Sequence, residues 1–474
     1  MTPIDPGVPV LESNLPSKPA QTLPDPPFPN DPFYRSAGTW RQAYPDQWGL
    51  HRIGFAPDSP GQARSLWPDD AEPVVVAVLD TGIDQTHPEL MGAVWFNERE
   101  IPGNGLDDEG NGYVDDVYGW NFADGNNDVA DLNGHGTVVA GIIAAWTDNG
   151  TGLAGVNPWA RIMAVKIARW SGDAWNFDIA DAIRYAADNG ARVINVSFEG
   201  QRLRRTEHLA VAYARSKGVI VVAAAGNSGS DIRGYSPGGL PGVVTVAATD
   251  VNDARAGFSN WGAGVDLSAP GVDILSLRAR QTDLLKFSRD DYRAGAAIVG
   301  DDRGYYRLTG TSFAAPFVSG VASLILSMRP DLTDKRVTRM LMHTARDIET
   351  PGWDQYTGYG LLDAGAAVRA DPDYYVLSRI RSVAGVQTSD GFVVQVTGRA
   401  MADDFGRAWI EIGQGGDPQD WIKVSEDLTN PIDEGLLVSI PAARFAGSNQ
   451  WTVRLIVEHA NGSRREARFN LEVG

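Results

Sequence analysis

The chain has no cysteine, so disulfides contribute nothing to its stability and the redox compartment leaves no mark on the sequence. Histidine is scarce, with six in 474 residues. Positive charge is in deficit: 41 Lys and Arg against 60 Asp and Glu give a formal net charge of −19. That balance argues against a nucleic-acid backbone or an anionic membrane as the main partner. No apolar stretch is expected to reach the length of a membrane span. The amino terminus lacks the basic start and apolar segment of a secretory signal.

What is present is an ordinary hydrophobic fraction of 43% in a chain longer than one core usually serves, which predicts two domains. The most telling stretch is Gly310-Thr311-Ser312-Phe313-Ala314-Ala315-Pro316, which runs into an apolar helical pattern from Phe317 to Leu326. A serine where a tight turn becomes a helix sits at the positive end of the helix dipole, beside backbone N–H groups without intrahelical partners. That seat suits a nucleophile, but a hydroxyl needs a base to take its proton. Val74 to Leu79 is an unbroken apolar run, mostly β-branched, that ends in Asp80-Thr81-Gly82. It puts a carboxylate at the carboxyl end of a buried parallel strand, where open α/β sheets place their chemistry. In Asn133-Gly134-His135-Gly136-Thr137, glycines flank a histidine that opens a second apolar helix. Alone, each of these residues reads most simply as a helix cap or turn former. Together they give an orienting carboxylate, a base and a nucleophile: Asp80, His135, Ser312.

These three blocks resemble the signature segments of subtilisin-like serine proteases (subtilases, peptidase S8), whose Asp, His, Ser order they share. The resemblance covers about residues 30 to 370. It implies an α/β fold, a parallel sheet with helices on both faces, and peptide hydrolysis through an acyl-enzyme. Val219 to Ala225 reads as another buried strand and ends in Gly226-Asn227-Ser228-Gly229, similar to the family segment with an oxyanion-hole asparagine. Asn227 and the Ser312 N–H are therefore expected to hold the developing charge. Ser197-Phe198-Glu199-Gly200 aligns with the family's peptide-pairing segment, usually Ser-Leu-Gly-Gly. Ala224-Ala225-Gly226 would form the opposite wall of the pocket for P1, the residue whose carbonyl is attacked, with Gly234 near its base. Glu199 replaces glycine, so its carboxylate either lines the pocket rim, favouring basic or polar P1 residues, or turns to solvent.

Asn30-Asp31-Pro32-Phe33-Tyr34 with Gln47-Trp48-Gly49-Leu50 resembles the mature amino terminus of the thermitase-like branch, where the early aspartate binds calcium. The corresponding set is Asp31, Glu89, the Asn149 side chain and the carbonyls of Trp146, Thr151 and Leu153, all oxygen donors as calcium requires. Glu89 stands where that branch usually has aspartate. A second acidic loop offers Asp107, Glu109, Asn111, Tyr113 and Asp115 or Asp116 near alternate positions, like the first half of an EF-hand loop. Structural calcium is expected there too.

Alternating strands and helices over residues 157–250 fit a parallel sheet covered on both faces. The expected organisation is a proline-rich extension (1–30), a peptidase domain (31–370) and a C-terminal all-β sandwich (371–474), immunoglobulin-like in pattern. Packing against the peptidase is the favoured role for the sandwich over binding a polymer. Residues 278–307 read as a charged surface insertion. The family resemblance also implies a peptide or protein substrate, a monomer, and a secreted or cell-surface location. Since such enzymes are commonly made with a signal and a propeptide, a mature or trimmed form is expected. A silent relative that only holds peptides and a dedicated maturation protease are the rival readings.

Overall fold

The computed structural model describes residues 29–56, 66–68, 70–169, 171–172, 176–280, 282, 297–300, 303–389 and 391–472. Most of the proline-rich extension, and the charged segments 289–293 and 301–302 of the insertion, lie outside the described residues.

Seven short apolar runs become strands: β1 (Val74–Asp80), β2 (Gly119–Asn121), β3 (Ala160–Lys166), β4 (Val193–Val196), β5 (Ile220–Ala224), β6 (Val244–Thr249) and β7 (Leu267–Pro270). They form one sheet in the order β2-β3-β1-β4-β5-β6-β7, and every pairing is parallel. Helices α1 (His135–Ala144), α2 (Asn176–Asp188), α3 (Arg205–Ser216) and α4 (Thr311–Met328) cover it. Alternation along β1 decides which face each residue serves. Val76 and Val78 join the core of α1 and α4, while Ala77 and Leu79 join the core of α2 and α3. From β1 the chain first builds to one side and then returns to place β4 on the other. This switch opens a crevice at the carboxyl ends of β1 and its neighbours.

Helix α4 corrects one expectation, because its 18 residues are long and apolar enough to cross a membrane. They are instead buried in the fold from Thr311 to Ser327. Ser319 donates to Asn195 (2.8 Å) and Ser323 accepts from Asn157 (2.9 Å), so the helix's polar groups are paired inside the protein. Pro316 lies in its first turns and offers no N–H to the Ser312 carbonyl. The Ser197 hydroxyl donates to that carbonyl instead (2.9 Å), which ties the end of β4 to the start of α4.

Beyond α5 (Asp334–Thr344) and α6 (Ala364–Arg369) the chain turns antiparallel, with β8 (Val376–Thr388), β9 (Gly391–Ala402), β10 (Phe405–Gln414), β11 (Ile422–Lys423), β12 (Ile432–Pro441), β13 (Gln450–His459) and β14 (Arg464–Glu472). Two sheets, β8-β9-β12 and β14-β13-β10-β11, bury Val394, Val396, Ile410, Val453 and Leu455 in one cluster. That cluster is continuous with the core of α1 and α4.

The two parts of the chain are joined by more than apolar contact. Trp353–Asp354, a short strand before α6, pairs in parallel with β14 through Trp353↔Ala467 and Asp354↔Arg468. Arg379 of β8 forms a buried ion pair with Asp266 and donates to the Ala263 carbonyl (2.6 Å). Asp266 also accepts the Thr245 N–H at the start of β6 (2.9 Å). The connection 370–375 is itself held: Arg329 donates to the Ala370 carbonyl (3.1 Å), Arg336 pairs with Asp373 (2.5 Å), and the Tyr375 N–H donates to Asp403 (2.9 Å). Arg379→Ala leaves Asp266 buried without its cation, and the expected loss is about 3–5 kcal/mol of stability. Urea unfolding of the purified variant checks it.

Candidate active site

The carboxyl end of β1 delivers Asp80, fully buried, with its Oδ1 accepting the Thr81 N–H (2.8 Å). His135 opens α1 and places Nδ1 at 2.8 and 3.0 Å from the two Asp80 oxygens. This approach depends on glycine. A Cβ at Gly136 would stand 2.1 Å from the Gly82 carbonyl, so only a bare α-carbon lets the helix start against the strand end. Burial alone would lower the imidazole pKa, but the Asp80 charge and hydrogen bond, with a further contribution from Asp131, outweigh it and raise the value. A carboxylate accepts only, so Nδ1 carries the proton and Nε2 keeps its lone pair.

Ser312 is second in α4, and its Oγ donates to the Ser197 carbonyl (3.0 Å) rather than to His135. The His135 ring lies beside this turn, 5.4 Å from the Phe313 ring and 5.8 Å from the Phe198 ring between centroids. Asn227 follows β5 and accepts from the Thr311 N–H (2.9 Å) and hydroxyl (3.0 Å) with Oδ1. The residue is exposed, and holding Oδ1 this way leaves its Nδ2 donors for the crevice. Glu199 is an exposed residue whose carboxylate is nevertheless bonded to the opposite wall of the crevice. Its Oε1 accepts the Asn227 N–H (3.2 Å) and its Oε2 accepts from Asn260 Nδ2 (3.1 Å). Ala224 and Ala225 are buried, and Gly226 lies directly under Glu199. Gly234 is exposed with open space where a Cβ would stand, beside the antiparallel pairing of Gly200 with Ser236.

A carboxylate-held imidazole, a hydroxyl at a helix start and amide donors therefore meet at one sheet edge. A sequence model of the subtilase family matches residues 71–360. The chain belongs to that family.

The subtilase is 39% identical over 293 residues to a thermophilic serine proteinase of Bacillus sp. strain AK1, covering 62% of this chain and 61% of that protein. It is 37% identical over 332 residues to fervidolysin of Fervidobacterium pennivorans, covering 68% of this chain and 43% of the relative. Thermitase of Thermoactinomyces vulgaris is 35% identical over 343 residues, with 72% of this chain and 99% of thermitase covered. Among solved structures, a protease from Pseudoalteromonas arctica PAMC 21717 superposes with a TM-score of 0.53 at 31% identity, over 72% of this chain and 98% of that one.

The loops of this subtilase bring the side chains of Asp31, Glu89 and Asn149, three of the expected calcium ligands, together. Asp31 and Glu89 are 0% and 2% exposed. Asp31 accepts the N–H groups of Asp148 (2.8 Å) and Asn149 (3.2 Å), and Glu89 accepts the Thr151 hydroxyl (3.0 Å). The Asn149 amide is 3.5 Å from Glu89, and the Glu89 carbonyl accepts the Trp146 N–H (2.8 Å). Leu153 is buried in the same loop. Burial pushes the Asp31 carboxyl up to about 6 despite its two backbone donors. Burial, aided by the Asp31 charge, pushes Glu89 up to about 8.

In the second loop the structure separates the neighbours Asp115 and Asp116. Asp115 turns to the N–H groups of Gly103 (2.8 Å) and Gly105 (2.9 Å). Asp116 joins Glu109 and Glu100, with ligand atoms of the three within 4.8 Å of one another. Asn111 Nδ2 bonds both Glu109 and Asp116, whereas Asp107 is occupied by the N–H groups of Gly110 (2.7 Å), Asn111 (3.0 Å) and Gly112 (2.7 Å). The Tyr113 ring packs on Trp120, Phe122 and Tyr185. Arg99 pairs with Glu109 from outside the cluster.

Three residues at these sites escape a reading of the sequence. Glu100 is 3% exposed and its Oε2 has no hydrogen-bond partner among the described residues. Asp131 accepts from Gly134 N (2.7 Å), Thr137 N (2.9 Å) and the Thr81 hydroxyl (2.9 Å), which fixes the turn before His135. Asn260 holds the turn after β5 through Ser228 N and Ser230 N, both at 3.0 Å. Asp131, two residues before Asn133, carried only the faint signal of an Asx turn; Glu100 and Asn260 carried none.

Proposed function

We propose that this subtilase is a serine endopeptidase that cleaves peptide bonds through an acyl-enzyme, with calcium stabilising its loops. The observation that carries the reading is His135 bonded to Asp80 at 2.8 Å in the crevice that also receives Ser312 and Asn227. The Ser312 side chain first leaves the Ser197 carbonyl and donates to His135 Nε2. Apo catalytic hydrogen bonds often form only when substrate binds. His135 takes the hydroxyl proton as Ser312 Oγ bonds to the peptide carbonyl carbon. Asp80 holds the imidazolium, and the Asn227 Nδ2 and Ser312 N–H donors face the tetrahedral oxyanion. His135 then gives its proton to the leaving amine. Water, deprotonated by the same imidazole, releases the acyl group.

Extended substrate would pair with the backbone at Ser197-Phe198-Glu199 on one side and Ala224-Ala225-Gly226 on the other. Gly234, at the proposed base of the P1 pocket, leaves open space where a side chain would stand. An extracellular setting accords with the relative named a cell wall-associated protease in Bacillus subtilis. The C-terminal sandwich is assigned to stabilising residues 31–370, in keeping with the buried Arg379–Asp266 pair. Its three-strand and four-strand sheets accord with an immunoglobulin-like arrangement.

The oxygen-rich loop at Asp31, Glu89, Asn149 and Thr151 fits calcium, since its two buried carboxylates have only neutral hydrogen-bond partners among the described residues. Glu100, Glu109 and Asp116 form the second candidate set. Calcium there would neutralise the carboxylates and fix the loops. Binding at 100 times the dissociation constant contributes about 2.7 kcal/mol for one site. EGTA is therefore expected to lower the unfolding temperature, excess calcium to restore it, and Glu89→Gln to shrink the difference. Calorimetry with and without EGTA checks this, while fluorophosphonate labelling of Ser312 and casein digestion test the chemistry.

A further inference from the structure

Glu199 is the charged side chain in the crevice that the mechanism leaves unused. It lies two residues past Ser197, whose carbonyl touches the Ser312 hydroxyl at 3.0 Å. Its carboxylate reaches across to the other wall, accepting from Asn227 N (3.2 Å) and Asn260 Nδ2 (3.1 Å). It rests flat on Gly226, where a Cβ would stand 1.7 Å from Oε2. The Gly226 φ of +101° already favours glycine, so the backbone and the carboxylate require the same residue. Asn260 is itself fully buried and bonded to the Ala225 carbonyl (3.0 Å), so the carboxylate is anchored to a rigid turn.

A substrate has little freedom at this point. The carbonyl carbon that meets Ser312 Oγ carries its oxygen toward Asn227, and the P1 side chain branches from the α-carbon next to it. That side chain must enter between residues 197–199 and 224–227, where the Glu199 carboxylate stands. Both of Glu199's donors are neutral amides, and among the described residues no lysine or arginine is paired with it. An ionised carboxylate has about four acceptor sites, so two bonds leave it able to take more. An aromatic P1 ring would strip water from it and return no hydrogen bond. A lysine or arginine would return both charge and donors.

We infer that Glu199 sets the acyl-side specificity of this subtilase, so that it prefers to cut after lysine or arginine. The inference rests on the endopeptidase reading above. Partial loss of water around the exposed Glu199 raises its carboxyl, opposed by its two amide donors, and a cation would relieve that cost. The net charge of −19 draws basic segments toward the enzyme in the same sense.

The test uses the full chain with calcium and a set of peptide p-nitroanilides that differ only at P1: lysine, arginine, phenylalanine, leucine and alanine. The wild type is expected to give kcat/KM for lysine and arginine about ten-fold or more above phenylalanine, with the ratio falling as NaCl is added. Glu199→Gln keeps the side-chain length and the acceptor for Asn227 N. It is expected to lower kcat/KM for the basic substrates about 10- to 100-fold and to leave phenylalanine within a few-fold. A wild-type preference for phenylalanine, leucine or alanine would overturn the assignment, as would an unchanged lysine-to-phenylalanine ratio in the variant. The wild-type profile decides the matter even if the variant does not fold. Fluorophosphonate labelling separates the two levels: a labelled Ser312 with the wrong P1 order sinks this assignment alone, and an unlabelled Ser312 sinks the endopeptidase reading beneath it.

Discussion

Replacing Ser312 by alanine is expected to lower turnover about a million-fold, because serine and histidine act as a unit in this chemistry and the loss of either removes the covalent route. The fold should barely notice. Among the described residues the Ser312 hydroxyl makes one hydrogen bond, to the Ser197 carbonyl, and a typical bond of this kind contributes about 0.5–1.5 kcal/mol. The second tie between these residues runs through the Ser312 carbonyl and survives the substitution. Peptide hydrolysis and calorimetry on the same preparation check both halves. Retention of more than about one part in a thousand of the activity, with an unchanged melting curve, would mean that another group attacks the substrate.

Asp80→Asn should cost about ten-thousand-fold in turnover with little change in geometry. Both Asp80 oxygens lie within 3.0 Å of His135 Nδ1, and they impose the tautomer that leaves Nε2 free. An amide presents an N–H in place of one acceptor, so it can favour the tautomer with the proton on the wrong nitrogen. The pH profile adds a second signature. Burial works to lower the His135 pKa, and the Asp80 charge overcomes it, so the wild-type imidazole titrates above its ordinary value near 6.5. Activity needs the neutral ring, so it should rise with pH to a midpoint above that value. Removing the Asp80 charge should move the midpoint of the residual activity downward. Steady-state rates from pH 5 to 9 measure both effects.

The sheet and its chemistry were legible because both are written locally. An unbroken run such as Val74 to Leu79 leaves no polar face, so it has to be a strand covered on both sides, and Asp80 then falls at its end. The Ser312 turn and the His135 turn each carry their own glycines. What the sequence hid depends on contacts between distant segments. Asp131 matters because Thr81 arrives from 50 positions upstream. Asn260 matters because the turn after β5 folds onto it, and Glu100 because the acidic loop doubles back. Neither periodicity nor composition records such meetings. The apolar stretch at α4 proved longer than expected, because a helix surrounded by protein and one surrounded by lipid satisfy the same pattern. The strand Trp353–Asp354 was also unforeseen, since two residues are too few to show alternation.

The tethered connection at 370–375 bears on how a chain with the proposed peptidase activity would last in its own company. To be cut, a segment has to be drawn out as a strand and laid in a neighbour's groove. This one is fastened at Ala370, Asp373 and Tyr375, on both sides of the join. On the endopeptidase reading, autolysis at the join has to wait for local unfolding, so cutting there should follow the opening rate of this segment rather than the rate of peptide turnover.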